Sequence, residues 1–245
     1  MPDRVREALF NLLRGHCEGV RVFDAFAGTG AVGLEAVSRG ASACVLVERD
    51  RRVASILEGN VRALGVEERC EVVVGDALGA GAIARCPRGV HLVFFDPPYP
   101  LVRDPAQWPR VRAQFMRLID RLDDTGYAVL RTPRPFLQFE KAEVEEVPEL
   151  PVREPRRARR RRGRAMGWSD GRDIEITEPV EIDPDVPAPE TPVRGVAPKG
   201  IPVDLRMDNA LGPETHSYGS TAIHLYMRRR DAGGATGSGE VAGGA

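Results

Sequence analysis

Hydrophobic positions along the first 130 residues follow two periods in alternation. Val5, Ala8, Leu9, Leu12 and Leu13 recur at i, i+3/i+4 and i+7, which predicts an amphipathic helix over Arg4–Leu13, broken by Gly19. Short apolar runs of strand length follow at Val20–Phe23, Ala43–Val47, Cys70–Val74, Val90–Phe95 and Tyr127–Leu130. Helix-length segments separate them: about Ala31–Ser38 ended by Gly40, Arg51–Leu64 closed by Gly65, and Trp108–Leu122. Strands alternating with helices predict a parallel sheet covered by helices on both faces. The unbroken apolar runs Val45-Leu-Val47 and Leu92-Val-Phe-Phe95 fit strands buried from both sides. The expected fold is α/β and doubly wound.

After about Pro133 the pattern dissolves. Seven prolines fall between Pro179 and Pro202, and large apolar residues are few. Such a stretch cannot offset the entropy of ordering it, so 133–215 is expected to be a largely disordered Pro/Arg-rich insertion. A strand signature returns at Ser217–Met227, where Ala222, His224 and Tyr226 alternate with Ile223, Leu225 and Met227. The expected organisation is a core over 1–132, the insertion over 133–215, a strand completing the core over 216–230, and a flexible Gly-rich tail over 231–245.

Composition narrows the class without deciding it. A chain of 245 residues, 42% hydrophobic and 29% charged, can bury one α/β core and carry an appendage. No apolar run approaches a membrane span and no signal peptide is evident, so a cytoplasmic location is expected. Cys17, Cys44, Cys70 and Cys86 form no CxxC pair, and His16, His91, His216 and His224 are scattered. Buried reduced thiols are expected, with no metal site. The net charge of −1 conceals two opposite patches: eight arginines in twelve positions over Arg153–Arg164, and an acidic stretch over Glu175–Glu190. The arginine run is either a solvated charge run or an arm that touches nucleic-acid phosphates.

The candidate chemistry sits at strand ends. Gly28-Thr-Gly30-Ala-Val-Gly33 follows the first strand, and Glu48 ends the second. Glycines let a backbone approach a ligand, and the acid can accept from two ribose hydroxyls, in nicotinamide enzymes and methyltransferases alike. The bland reading is that the glycines only pack strand to helix. Asp24 favours S-adenosylmethionine, because an acid there would repel a pyrophosphate but suits a cationic amino-acid end. Asp76-Ala77 after the third strand could accept from an adenine amino group, or simply cap a helix. Phe95-Asp96-Pro97-Pro98-Tyr99 ends the fourth strand, which neighbours the first at the switch point of a doubly wound sheet. Two prolines stiffen the turn, so that the Asp96 carboxylate and the Pro97 carbonyl can grip the two hydrogens of a planar amine. That grip favours the pyramidal nitrogen that forms with the new bond, and Tyr99 can stack on an extruded base.

These residues resemble the (D/N)PP(Y/F) amino-methyltransferases, and within them the bacterial 16S rRNA (guanine-N2)-methyltransferase family, RsmD type. The resemblance rests on Asp3-Arg-Val-Arg-Glu-Ala-Leu-Phe-Asn-Leu-Leu13, the stretch from Asp24 to Ala36 including Phe26, Gly28 and Gly30, Ser38-Arg-Gly40, Val47-Glu48, Asn60, Gly75-Asp76, Phe95–Tyr99, and Tyr218-Gly219. It implies a class I, Rossmann-like fold with a seven-stranded sheet whose last strand is antiparallel, S-adenosylmethionine as cofactor, and guanine in 16S rRNA or a small-subunit particle as target. It also implies Asp96, Pro97 and Tyr99 as catalytic residues, and Asp24, Phe26, Gly28, Gly30, Glu48, Asp76 and Ala77 as cofactor-binding residues. Three departures stand out. The family's N-terminal hairpin is missing, Arg131 stands where the family often has an acid, and the Pro/Arg-rich insertion is foreign to the compact form. Because the chain opens directly into Pro2-Asp-Arg-Val-Arg-Glu7, a native start upstream of Met1 is expected, with a lineage-specific loss as the rival. Alternative activities are adenine-N6 or cytosine-N4 methylation of DNA, or RNA binding without catalysis.

Overall fold

The computed structural model describes residues 1–138 and 200–230. Helix α1 (Asp3–Leu12) precedes an alternation of β1 (Arg21–Asp24), α2 (Gly33–Ser38), β2 (Ala43–Glu48), α3 (Arg51–Ala63), β3 (Cys70–Val74), α4 (Ala80–Arg85) and β4 (Val90–Phe95). Then follow α5 (Tyr99–Arg103), α6 (Trp108–Ile119), β5 (Leu122–Pro133), β6 (Leu137–Gln138), β7 (Ile201–Pro202), β8 (Ala210–Tyr218) and β9 (Thr221–Arg228). Seven strands form one sheet in the order β3-β2-β1-β4-β5-β9-β8. Pairing is parallel from β3 through β5, whereas β9 runs antiparallel to both β5 and β8. The seven strands and the antiparallel last one are what the family resemblance implied.

Alternation along each central strand divides the core into two layers. Val22, Leu46, Leu92 and Phe94 face one side with α1, α2 and α3 residues such as Leu9, Phe10, Val37 and Leu57. Phe23, Val45, Val93 and Phe95 face the other, with Val111, Phe115 and Leu118 of α6. All six residues of β4 are buried, so the strand reads as continuously apolar. Cys17, Cys44 and Cys86 are buried, but Cys70 is only half-buried. It opens β3, an edge strand with one neighbour, and the expectation of burial fails there for that reason.

The structure extends the core beyond the expected boundaries. Residues 133–138 and 200–215, expected within the disordered insertion, include the end of β5, the β6–β7 pair and most of β8. The described chain thus resumes by 200, and the closing strand is a hairpin, β8–β9, with Tyr218 opposite Thr221. β8 carries no legible signal because it is an outer edge with a mostly exposed burial pattern. The short helices α4 and α5 also went unread, each spanning little more than one turn. The arginine run at 153–164 and the tail 231–245 lie outside the described residues.

Candidate active site

Four carboxylates come to the C-terminal edge of four adjacent strands. Asp24 ends β1, Glu48 ends β2, Asp76 follows β3 and Asp96 follows β4. The pairing registers set Asp24 beside Leu46 on one side and Phe94 on the other, which brings the acids close although 72 residues separate the first from the last. Two adjoining cavities open along this edge and share Met1, Phe26, Gly28, Asp96 and Arg131. The larger, about 720 Å³, is lined by Glu48, Gly75, Asp76, Ala77 and Leu78 on one wall and by Pro98, Leu101 and Gln107 on the other. Its size lies within the usual range of small-molecule sites. The smaller, about 230 Å³, reaches Asp24, Thr29, Val32 and Phe94.

The glycine loop separates two roles that its spacing could not. A Cβ on Gly28 would meet nothing within 4 Å, and its φ of +57° suits glycine. A Cβ on Gly30 would lie 2.5 Å from Leu57 Cδ1 and 2.7 Å from Leu34 Cδ1. Gly28 therefore keeps the cavity open, and Gly30, which lines neither cavity, serves packing. The Gly28 amide donates to Glu48 Oε2 at 3.0 Å and the Asp50 amide donates to Oε1 at 2.8 Å. Each oxygen keeps a lone pair for a ligand hydroxyl. Asn60 Nδ2 donates to the Thr29 carbonyl at 2.9 Å and holds the loop from below.

Asp24 is 2% exposed and accepts from the Gly33 amide at 3.0 Å. Burial pushes its carboxyl up to about 7, the Gly33 hydrogen bond opposes this, and the like charge of Asp96 adds to it. Such a group calls for a cation. The deeply buried Asp24, the open space at Gly28 and the two-oxygen acceptor Glu48 together fit the amino-acid, backbone-approach and ribose ends of S-adenosylmethionine. Phe26 stands edge-on to Phe95 with centroids 5.0 Å apart and forms the wall between the two cavities.

Asp76 shows both features considered for it. Its Oδ1 accepts from the Leu78 amide at 2.9 Å, the capping role, while its exposed edge lines the cavity and pairs with Arg110 at 2.6 Å. Ala77 is buried against the same wall. Asp96 also meets an arginine: Arg131 Nε donates to its Oδ1 at 2.5 Å. Tyr99 lines neither cavity. Its hydroxyl donates to Thr221 Oγ1 at 2.7 Å and accepts from Arg131 Nη1 at 2.9 Å, and the Arg131 guanidinium lies 4.8 Å from its ring centroid. The structure thus gathers Asp24, Phe26, Gly28, Glu48, Asp76, Ala77 and Asp96 around the cavities. Pro97 is buried outside their lining, and Gly30 and Tyr99 stand behind it. Arg110 was missed altogether, since a charged residue on an exposed helix face carries no signal for an acid 34 positions away.

Residues 1–116 match the family model described as "Conserved hypothetical protein 95". Over that segment, just under half of its length, the chain is similar to this family. Relatives named "Ribosomal RNA small subunit methyltransferase D" carry the RsmD-type resemblance. The Escherichia coli K12 protein is 41% identical over 97 residues, 40% of this chain and 48% of that protein. The Haemophilus influenzae protein is 36% identical over 98 residues, 40% of this chain and 51% of that one. This chain thus spans about half the length of the curated relatives it matches. Among solved structures, yhhF of Escherichia coli, described as a candidate methyltransferase, superposes with a TM-score of 0.55 at 22% identity, covering 93% of this chain and 87% of that one. At that identity the likeness establishes the fold alone, a mostly parallel seven-stranded sheet flanked by helices.

Proposed function

We propose that this protein transfers a methyl group from S-adenosylmethionine to an exocyclic amino nitrogen of a base in 16S rRNA, with guanine N2 as the target. The observation that carries the reading is the convergence of Asp24, Gly28 and Glu48 with Asp96 on one pair of adjoining cavities at the switch between β1 and β4. In this reading Asp24 meets the cofactor's ammonium, Gly28 lets the backbone approach it, Glu48 accepts from its ribose, and Asp76 with Ala77 borders its adenine. When bound, the cofactor supplies an electrophilic methyl, whose bonding pair stays on sulfur as the amine lone pair forms the new N–C bond and a proton passes to water. Asp96 accepts one N–H of the amine, and the Pro97 carbonyl is suited to the other, so that the lone pair withdrawn into the base ring returns to nitrogen. The relatives' names support rRNA as the substrate, and the Asp96-Pro-Pro-Tyr99 turn supports an amine.

Nucleoside mass spectrometry of 16S rRNA and DNA from cells with and without the gene tests this directly. Loss of N2-methylguanosine from rRNA is the expected result. Loss of a methylated adenine or cytosine from DNA would move the activity to that class, and no change in either would leave a binding protein without catalysis.

A further inference from the structure

We propose that Arg131 is a positioning residue of the amine site: it holds one oxygen of Asp96 and the hydroxyl of Tyr99 in a single clamp that sets how Asp96 receives the amine. The inference rests on the methyl-transfer reading above and deepens it. Arg131 lies on β5 one residue past Leu130, the register partner of Phe95, so its backbone stands beside the Asp96 turn. Nε donates to Asp96 Oδ1 at 2.5 Å and Nη1 to the Tyr99 hydroxyl at 2.9 Å, and both members of the ion pair are 14% exposed. A planar guanidinium has a fixed fork of donors, so two such bonds fix the direction of both partners at once. The clamp is anchored in turn, because Tyr99 donates to Thr221 of β9 and Thr221 donates to the Thr132 carbonyl at 3.0 Å.

Two consequences follow for the amine. Oδ1 of Asp96 accepts from Arg131 and keeps less acceptor capacity than Oδ2, which lies 3.8 Å from the Met1 ammonium, so the clamp directs a primary amine toward Oδ2. Arg131 also places a positive charge next to a carboxylate that shares a cavity with Asp24, which offsets the repulsion between the two acids. A lysine has the charge but not the fork, and a glutamine lacks the charge.

The test compares wild type with Arg131→Gln, Arg131→Lys, Asp96→Asn and the double variant Asp96→Asn/Arg131→Gln. Methyl transfer to 16S rRNA is measured alongside calorimetric S-adenosylmethionine affinity. A positioning role predicts that Arg131→Gln lowers kcat by about 100-fold, with KM for RNA and cofactor affinity within about twofold, and that Arg131→Lys recovers part of the loss. Adding Arg131→Gln to Asp96→Asn should change the residual rate by less than about threefold, because its effect passes through Asp96. Multiplying losses, a rise in KM with kcat intact, or turnover of Arg131→Gln near wild type would each overturn the proposal. A second arm needs no turnover: carbon-13 resonances of the Asp96 carboxyl and the Tyr99 ring, followed in the ligand-free protein, should both move in Arg131→Gln. Unmoved resonances reject the clamp. A wild-type protein that methylates no base defeats the reaction assigned above, and the resonances then decide the clamp on their own.

Discussion

Removing the Asp96 carboxylate takes away an acceptor that matters most as the amine becomes pyramidal. Asp96→Ala is therefore expected to lower turnover by about 100-fold or more while leaving S-adenosylmethionine affinity nearly intact. Turnover within threefold of wild type would take Asp96 out of the mechanism. Glu48→Ala should show the converse, weakening cofactor binding by about 1.5–3 kcal/mol by calorimetry through the lost charged acceptor. Asp24 adds a pH dependence. Its carboxyl is pushed up to about 7 by burial, and pairing with the cofactor's ammonium requires the ionised form. Protonation below that value competes with binding, so affinity should tighten by roughly eightfold between pH 6 and 7.5, with proton release on binding. Asp24→Asn should bind more weakly and with a flat profile over the same range. A steep profile retained in that variant would place the titrating group elsewhere.

At the scale of elements, the glycine loop and the β8–β9 hairpin behave as packing units with separable effects. Gly30→Ala drives a methyl into Leu57 and Leu34 at a φ of +93° and should destabilise the fold by about 1–3 kcal/mol in denaturant titrations. Gly28→Ala meets open space, so its larger effect should fall on cofactor affinity. The hairpin carries a titrating core residue. His224 on β9 is 3% exposed, with Nε2 2.9 Å from Thr132 Oγ1 and Nδ1 2.9 Å from Thr215 Oγ1. Burial pulls its imidazole down from 6.5 to about 4. The unfolded chain then takes up the proton first as pH falls below 6.5, so the stability held above that point is lost on the way down to about 4. Between pH 7 and 5 wild type should lose about 2 kcal/mol more than His224→Gln. Equal losses in the two proteins would show that His224 does not set the acid sensitivity. The strands and the longer helices of the first 130 residues were legible because their apolar periods match their exposure. β8, α4 and α5 were not, being an exposed edge and two elements too short to display a period.

Across the whole molecule, the arginines of 153–164 lie outside the described residues, and their role is tested in solution. If they contact RNA phosphates, replacing them with glutamine should weaken 16S rRNA binding and flatten its salt dependence, with cofactor affinity unchanged. An identical salt slope would assign them to a solvated charge run. The core, by contrast, was written locally. Strand-by-strand alternation, the glycine-rich turn and Asp96-Pro-Pro-Tyr99 each depend on residues within a few positions, so the doubly wound fold and the four strand-end acids could be read from the chain itself, and the proposed amine chemistry rests on the same local turn. What the chain could not disclose depends on partners far apart in sequence. Gly28 and Gly30 differ only in what faces them, the cavity in one case and Leu57 in the other. Asp76 meets Arg110 only because α6 packs against the loop that follows β3, where Gln114 donates to the Ala77 and Gly79 carbonyls. Tyr99 turns away from the cavity because Thr221 and Arg131, 122 and 32 residues along the chain, hold its hydroxyl. Arg131 looked in sequence like a departure from the family, and only the pairing of β5 with β4 sets it against Asp96. Spacing specifies which groups share an edge of the sheet, and side-chain packing across strands and helices decides which of them face a ligand.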